Sequence, residues 1–189
     1  MKFLMFLSQL PASPSSLRVM VWRRMKAAGA LGLQNGVWVL PGGEEQERLL
    51  GELLEYIQSQ SASGQIFIVR PLNGAVENDI LARFRLERDR EYDEYLEQCQ
   101  VMLVELERET GNQKFTFAEL EENEQNLNKL SGWLAKIQAR DFYGAGKAQA
   151  AVEKLLECQR MMEAFAEKVS RQVDFESSID PDPEAKNSD

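Results

Sequence analysis

The chain has 189 residues, 43% hydrophobic and 28% charged, with a formal net charge of -9. That length supports a hydrophobic core without disulfide or metal staples, and a mean hydropathy of -0.41 with no long uncharged apolar run excludes a membrane-spanning helix. The absence of His excludes imidazole zinc sites, Ser-His-Asp triads and His general bases.

Lys2 to Leu10 is short, apolar and followed by a helix start, so it reads as a buried strand and not as a signal peptide. Pro11-Ala12-Ser13-Pro14 breaks it, and Ser13 ahead of Pro14 predicts an N-cap with a proline at the first helical position. The helix runs to about Ala28, where Gly29 stops it. Asn35-Gly36 between the apolar runs Leu31–Gln34 and Val37–Leu40 predicts a hairpin. Glu44 to Ser59 is a second helix, with Leu49, Leu50, Leu53, Leu54 and Ile57 on one face and acids in its first turn. Gln65 to Leu72 is the last strand. The order strand, helix, strand, strand, helix, strand predicts an α+β ferredoxin-like βαββαβ half over residues 1–73, with both helices on one sheet face. The other face needs a cover, either the second half of the chain or another copy of the sheet.

From Asn73 the pattern becomes helical. Leu81, Phe84, Tyr92, Tyr95, Leu96, Cys99, Met102, Leu103 and Leu106 mark one long helix ending at Gly111-Asn112. Thr116 and Glu119 form a capping-box pattern that opens a second, striped by Leu120, Leu127, Leu130, Trp133, Leu134 and Ile137. A third runs from about Gly146 to Val173. The short connections predict a long-helix hairpin or three-helix bundle over 74–173, packed on the sheet domain. Residues 174–189, with six acids, one Lys and two Pro, read as a disordered acidic tail.

Charge is unevenly distributed. Residues 1–75 hold seven basic and five acidic side chains, a surplus of two, so the remainder carries -11. No acid precedes Glu44, and four of the five cations before it lie within Arg18–Lys26. On a helical wheel Leu17, Val21, Met25 and Ala28 form the buried side. Arg18, Trp22 and Lys26 form a neighbouring ridge that Arg23 borders. Such a strip is a focused positive field with one aromatic, suited to a phosphate backbone with Trp22 stacking on a base or on a guanidinium; the competing reading packs Trp22 into the helical half. Arg24 falls at the edge of the buried face, where a guanidinium needs a partner, either an internal carboxylate or a bound oxyanion.

A second candidate pocket is Arg140, Asp141 and Phe142, at a break between long helices, where the competing reading is a cap by Asp141 and a plug by Phe142. Glu119, Glu121, Glu122 and Glu124 are dense enough to consider for a hard cation, but they lack calcium-loop spacing and fit the helix dipole. No GxGxxG, GxxxxGK[ST] or GxSxG is present, so no cofactor and no metal is expected, and nothing announces an enzyme. Cys99 and Cys158 have no CxxC partners, as in a reducing cytoplasmic protein.

The run Leu10-Pro11-Ala12-Ser13-Pro14-Ser15-Ser16-Leu17-Arg18, then Val21-Trp22-Arg23-Arg24, Gly29-Ala30 and Gly36-Val37-Trp38-Val39-Leu40-Pro41, resembles the N-terminal domain of the chromate-resistance regulator ChrB. Phe115 to Glu122 and Arg140-Asp141-Phe142 resemble it too, so the likeness covers about residues 3–172. The resemblance implies a role in chromate-responsive control of transcription of an efflux transporter. Family members carry a further C-terminal domain, so the chain resembles a stand-alone N-terminal module. A more distant likeness runs to the ferredoxin-like domains of phenylacetate-type repressors and small CRISPR nucleases. Those nucleases end the first strand with a metal-binding Asp, where this chain reads Phe6-Leu7-Ser8-Gln9-Leu10.

Three functions compete. The first is a chromate-response regulatory module that binds DNA, chromate or another oxyanion through Arg18, Trp22, Arg23, Arg24 and Lys26, aided by a homodimer. The second is a non-catalytic dimerisation or protein-interaction module without nucleic-acid binding. The third is a carboxylate enzyme using Glu91 with Glu122 or Glu124.

Overall fold

The computed structural model describes residues 1–13 and 15–179. Four strands, β1 (Phe3–Gln9), β2 (Leu31–Gln34), β3 (Val37–Pro41) and β4 (Ser63–Val69), alternate with α1 (Ser16–Ala27) and α2 (Glu44–Ser59). Three long helices follow, α3 (Gly74–Gly111), α4 (Phe117–Gln138) and α5 (Ala148–Ile179). The sheet order is β2-β3-β1-β4, antiparallel throughout. This is the ferredoxin-like α+β arrangement expected from the element order.

The chain divides into two compact units. The first comprises Met1–Arg90 and Ile137–Gly146, and the second Glu91–Lys136 and Lys147–Asp189. The boundary expected after residue 73 therefore falls inside α3 instead. The physical reason is the second sheet face. Strand alternation sends Leu4, Phe6 and Leu40 to the side covered by Leu17, Val21 and Met25 of α1 and Leu50, Leu53 and Ile57 of α2. Phe3, Leu31 and Val39 point the other way, onto Phe84 of α3, with Ile80, Leu81 and Tyr143 packed around them. Phe3 stacks on Phe84, their rings 7° from parallel and 6.4 Å apart. The first turns of α3 thus cover this face over Phe3, Leu31 and Val39, while Phe67, which pairs with Met5 on the same face, stays exposed.

In the second unit the long helices carry the three-four spacing of coiled-coil seams. Tyr92, Tyr95, Cys99, Met102 and Leu106 are buried along α3, Leu130 and Leu134 along α4, and Cys158, Met162, Phe165 and Val169 along α5. Tyr95 meets Trp133 edge-on, ring centres 5.5 Å apart. The Thr116 hydroxyl accepts the Glu119 N–H (3.3 Å), one half of the predicted capping box. The Glu119 carboxylate turns instead to Lys114 (3.6 Å).

Three boundaries move. The Val19 N–H donates to the Ser15 carbonyl (3.0 Å), so α1 opens at Ser15, which makes no side-chain cap, and not at Ser13. Ser61 takes a left-handed backbone (φ 59) directly after α2, a turn tight enough for β4 to begin at Ser63. The last helix continues past Val173 to Ile179; the rest of the tail read as disordered, residues 180–189, lies outside the described residues.

Candidate nucleic-acid interface

Helical periodicity places the site. With Leu17, Val21 and Met25 buried against the sheet, the ridge one residue further round carries Arg18, Trp22 and Lys26. All three line an open groove of about 840 Å³, together with Ser8 and Gln9 at the end of β1, the β2–β3 hairpin and Glu87 of α3. Trp22 is 53% exposed, so it is not consumed by packing. Trp38 stands opposite Gly32 in the hairpin register, and a Cβ added at Gly32 would sit 3.4 Å from the indole. The missing side chain leaves room for that ring beside the groove. The hairpin is pinned to β1 where the Ser8 N–H donates to the Gly36 carbonyl (2.8 Å). Gly36 is left-handed there (φ +76), and any Cβ would stand 2.5 Å from the Ser8 carbonyl oxygen.

The groove's charges are not equivalent. Lys26 Nζ pairs with Glu87 Oε2 at 2.6 Å, so its charge is locally balanced. Among the described residues Arg18 and Arg23 make no side-chain hydrogen bond or ion pair. Arg23 and Arg24 are exposed but do not line the groove. Arg24 lies over the Tyr56 ring, 5.4 Å from its centre, so its partner is an aromatic face of α2 and not the internal carboxylate weighed for it. The wheel placed Arg24 at the edge of the buried face; the guanidinium reaches past that edge to solvent.

In the second predicted region Arg140, Asp141 and Phe142 make contacts within the sheet unit. Both carboxylate oxygens of Asp141 accept the Ala145 N–H at 3.0 Å, holding the turn before α5. Phe142 packs against the clusters on both sheet faces; as a plug it fills the sheet unit, not the helical one. Arg140 packs its Cβ close to Gly29, where a Cβ would come within 2.9 Å. Burial, and then the charge of Glu77, push the neighbouring Tyr143 phenol up to about 12. Among the described residues no group of three or more Asp, Glu, Cys or His side chains could hold a metal ion, and no helix is long and apolar enough to cross a membrane.

Ser8, Gln34, Trp38 and Glu87 join the groove without having been singled out from the sequence. Trp38 was readable in principle, as an aromatic opposite a glycine in a predicted hairpin. Glu87 was not, because its position depends on where the long helix crosses the sheet.

A ferredoxin-like α+β domain with a helical extension and a Trp- and Arg-lined groove on its first helix defines the class. Within it, the model of the family described as "Protein ChrB, N-terminal" matches residues 18–175, and the chain belongs to that family, which ties it to chromate resistance and its regulation. No curated protein and no solved structure matches it.

Proposed function

We propose that the chain is a cytoplasmic transcription-regulatory module of chromate resistance that binds DNA through the α1 groove. Arg18 would meet a phosphate, Trp22 would stack on a base or sugar, and Lys26, held by Glu87, would with Arg23 and Arg24 add positive charge along the flank. The observation that carries this reading is the exposed Trp22 between Arg18 and Lys26 in an open groove. The exposed indole offers a flat face on which a base can stack.

The same cations would attract chromate or another oxyanion, but the geometry favours DNA. With Lys26 held by Glu87, Arg18 is the groove's one uncompensated cation among the described residues. A compact dianion needs several converging donors, whereas a phosphate backbone distributes its charge along the helix. A homodimer would present two grooves and raise affinity by linkage. The outer edge strand β4 suits such pairing, since Ser63–Val69 contains no charged residue and leaves Phe67 and Ile68 exposed.

The test is a tryptophan fluorescence titration with short duplex DNA, chromate, sulfate and phosphate at low salt, corrected for chromate absorption with free tryptophan. Saturable quenching by DNA that collapses with salt and is weakened by Arg18→Ala supports the reading. Saturation by chromate alone moves the assignment to the oxyanion. No response, with a stable dimer in solution, leaves the interaction module as the function.

A further inference from the structure

The helical unit holds the only two cysteines of the chain, and it brings them together. Cys99 on α3 and Cys158 on α5 are each 0% exposed, 59 residues apart in sequence, and the Cys158 thiol donates to the Cys99 carbonyl at 3.6 Å. The residues flanking them on their own helices, Tyr95, Met102 and Met162, are buried in the same layer. Both thiols are free. From this juxtaposition of the two sulfur-bearing side chains we infer that Cys99 and Cys158 are a peroxide-oxidisable dithiol that closes to an intramolecular disulfide between α3 and α5.

The two sulfurs have different roles. The Cys158 thiol hydrogen-bonds to Cys99 and, against the opposing effect of burial, holds the Cys99 thiol down at about 7. The same interaction, reinforced by burial, pushes Cys158 up. Because the Cys158 thiol donates its proton to the Cys99 carbonyl, we assign Cys99 as the nucleophile and Cys158 as the resolving thiol. The Cys99 thiolate attacks one peroxide oxygen, the O–O bond breaks, and the departing hydroxide takes up a proton, giving Cys99 sulfenic acid and water. The Cys158 sulfur then attacks the Cys99 sulfur. The S–S bond forms, the S–O bond breaks, and the leaving hydroxide takes the Cys158 proton as a second water. Two thiols lose two hydrogens and one peroxide becomes two waters. Burial makes the first step depend on transient opening of the helices, so the oxidation is slower than that of an exposed thiol.

The experiment treats the reduced full chain with hydrogen peroxide, alkylates the remaining thiols under denaturing conditions, and maps the products by mass spectrometry. The expected product is a monomer lacking two hydrogens, unalkylated, with the Cys99 and Cys158 peptides joined and separated again by dithiothreitol. Two alkylated thiols after a dose that fully oxidises free dithiothreitol, extra oxygens on either sulfur without a link, or a link between two chains would each overturn the inference. In Cys158→Ser, dimedone is expected to label Cys99 after peroxide. An unlabelled Cys99 in that variant overturns its assignment as nucleophile, and the wild-type map decides the pairing whether or not the variant folds.

Discussion

Gly36→Ala tests whether the groove is shaped by the closure of the hairpin onto β1. Gly36 sits at φ +76, and a methyl at its Cβ would lie 2.5 Å from the Ser8 carbonyl oxygen. The left-handed backbone alone costs an L-residue about 1–2 kcal/mol. The clashing atom is main chain and cannot rotate away, so the Ser8 N–H to Gly36 carbonyl bond (2.8 Å) must lengthen, at roughly 0.5–1.5 kcal/mol. Together these give a loss of about 1.5–3.5 kcal/mol, a substantial part of the roughly 5–15 kcal/mol of a typical domain. Gly51→Ala is the internal control. Gly51 is inside α2, where an added methyl would meet nothing within 4 Å, so the substitution should stabilise by about 0.5–1 kcal/mol through helix propensity. Urea unfolding followed by circular dichroism measures both, and DNA titration of the folded Gly36→Ala protein reads the groove. A Gly36→Ala protein as stable as Gly51→Ala would refute the strain argument, because the two differ in local backbone and contact rather than in composition.

Three further outcomes are expected. Glu87→Gln frees Lys26 from its only ion pair in the groove and also takes a carboxylate from 3.8 Å of the buried Arg88 guanidinium, so it should destabilise by more than the roughly 1 kcal/mol of a surface pair while tightening DNA binding and steepening the salt dependence by about one phosphate contact, measured as log Kd against log salt. Arg24→Ala should remove a contact with Tyr56 worth roughly 0.5–1 kcal/mol at an exposed site, and weaken DNA binding less than Arg18→Ala does in parallel titrations. Glu109 is 3% exposed and receives the Asn123 amide at 2.6 Å. Burial and the neighbouring Glu119 raise its pKa above 4.5, although the Asn123 hydrogen bond pulls the other way. A raised folded pKa contributes stability that is present below the unfolded value of 4.5 and is lost as pH rises through the folded one. Glu109→Gln should therefore raise Tm at neutral pH, and its advantage should vanish as the solution is acidified below that value.

The strands and short helices were readable because their signals are local. Asn35-Gly36 marks a hairpin, Leu50, Leu53 and Ile57 mark a helix face, and the alternation of Phe3, Leu4 and Phe6 becomes meaningful once a sheet with two covered faces exists. The wheel of α1 correctly grouped Arg18, Trp22 and Lys26, since a single helix obeys one period. It misjudged Arg24, because a long side chain leaves the direction set by its Cβ and finds Tyr56 on another helix. The unit boundary was hidden for a related reason. One uninterrupted helical pattern gives no mark at Arg90, and only the demand of the second sheet face explains why Ile80, Leu81 and Phe84 belong with the strands.

The net charge of -9 at first argues against an anionic ligand, but the distance over which charge acts decides otherwise. At about 0.1 M salt the screening length is roughly 10 Å, comparable to the width of one helix with its side chains. A ligand in the groove therefore feels the charges that line it and little of the rest. Those charges come from a stretch with no acid before Glu44, and the one carboxylate brought to the groove, Glu87, is already engaged with Lys26. On the proposed reading the acidic remainder of the chain would act on long-range approach, and Arg18 and Trp22 on what stays bound.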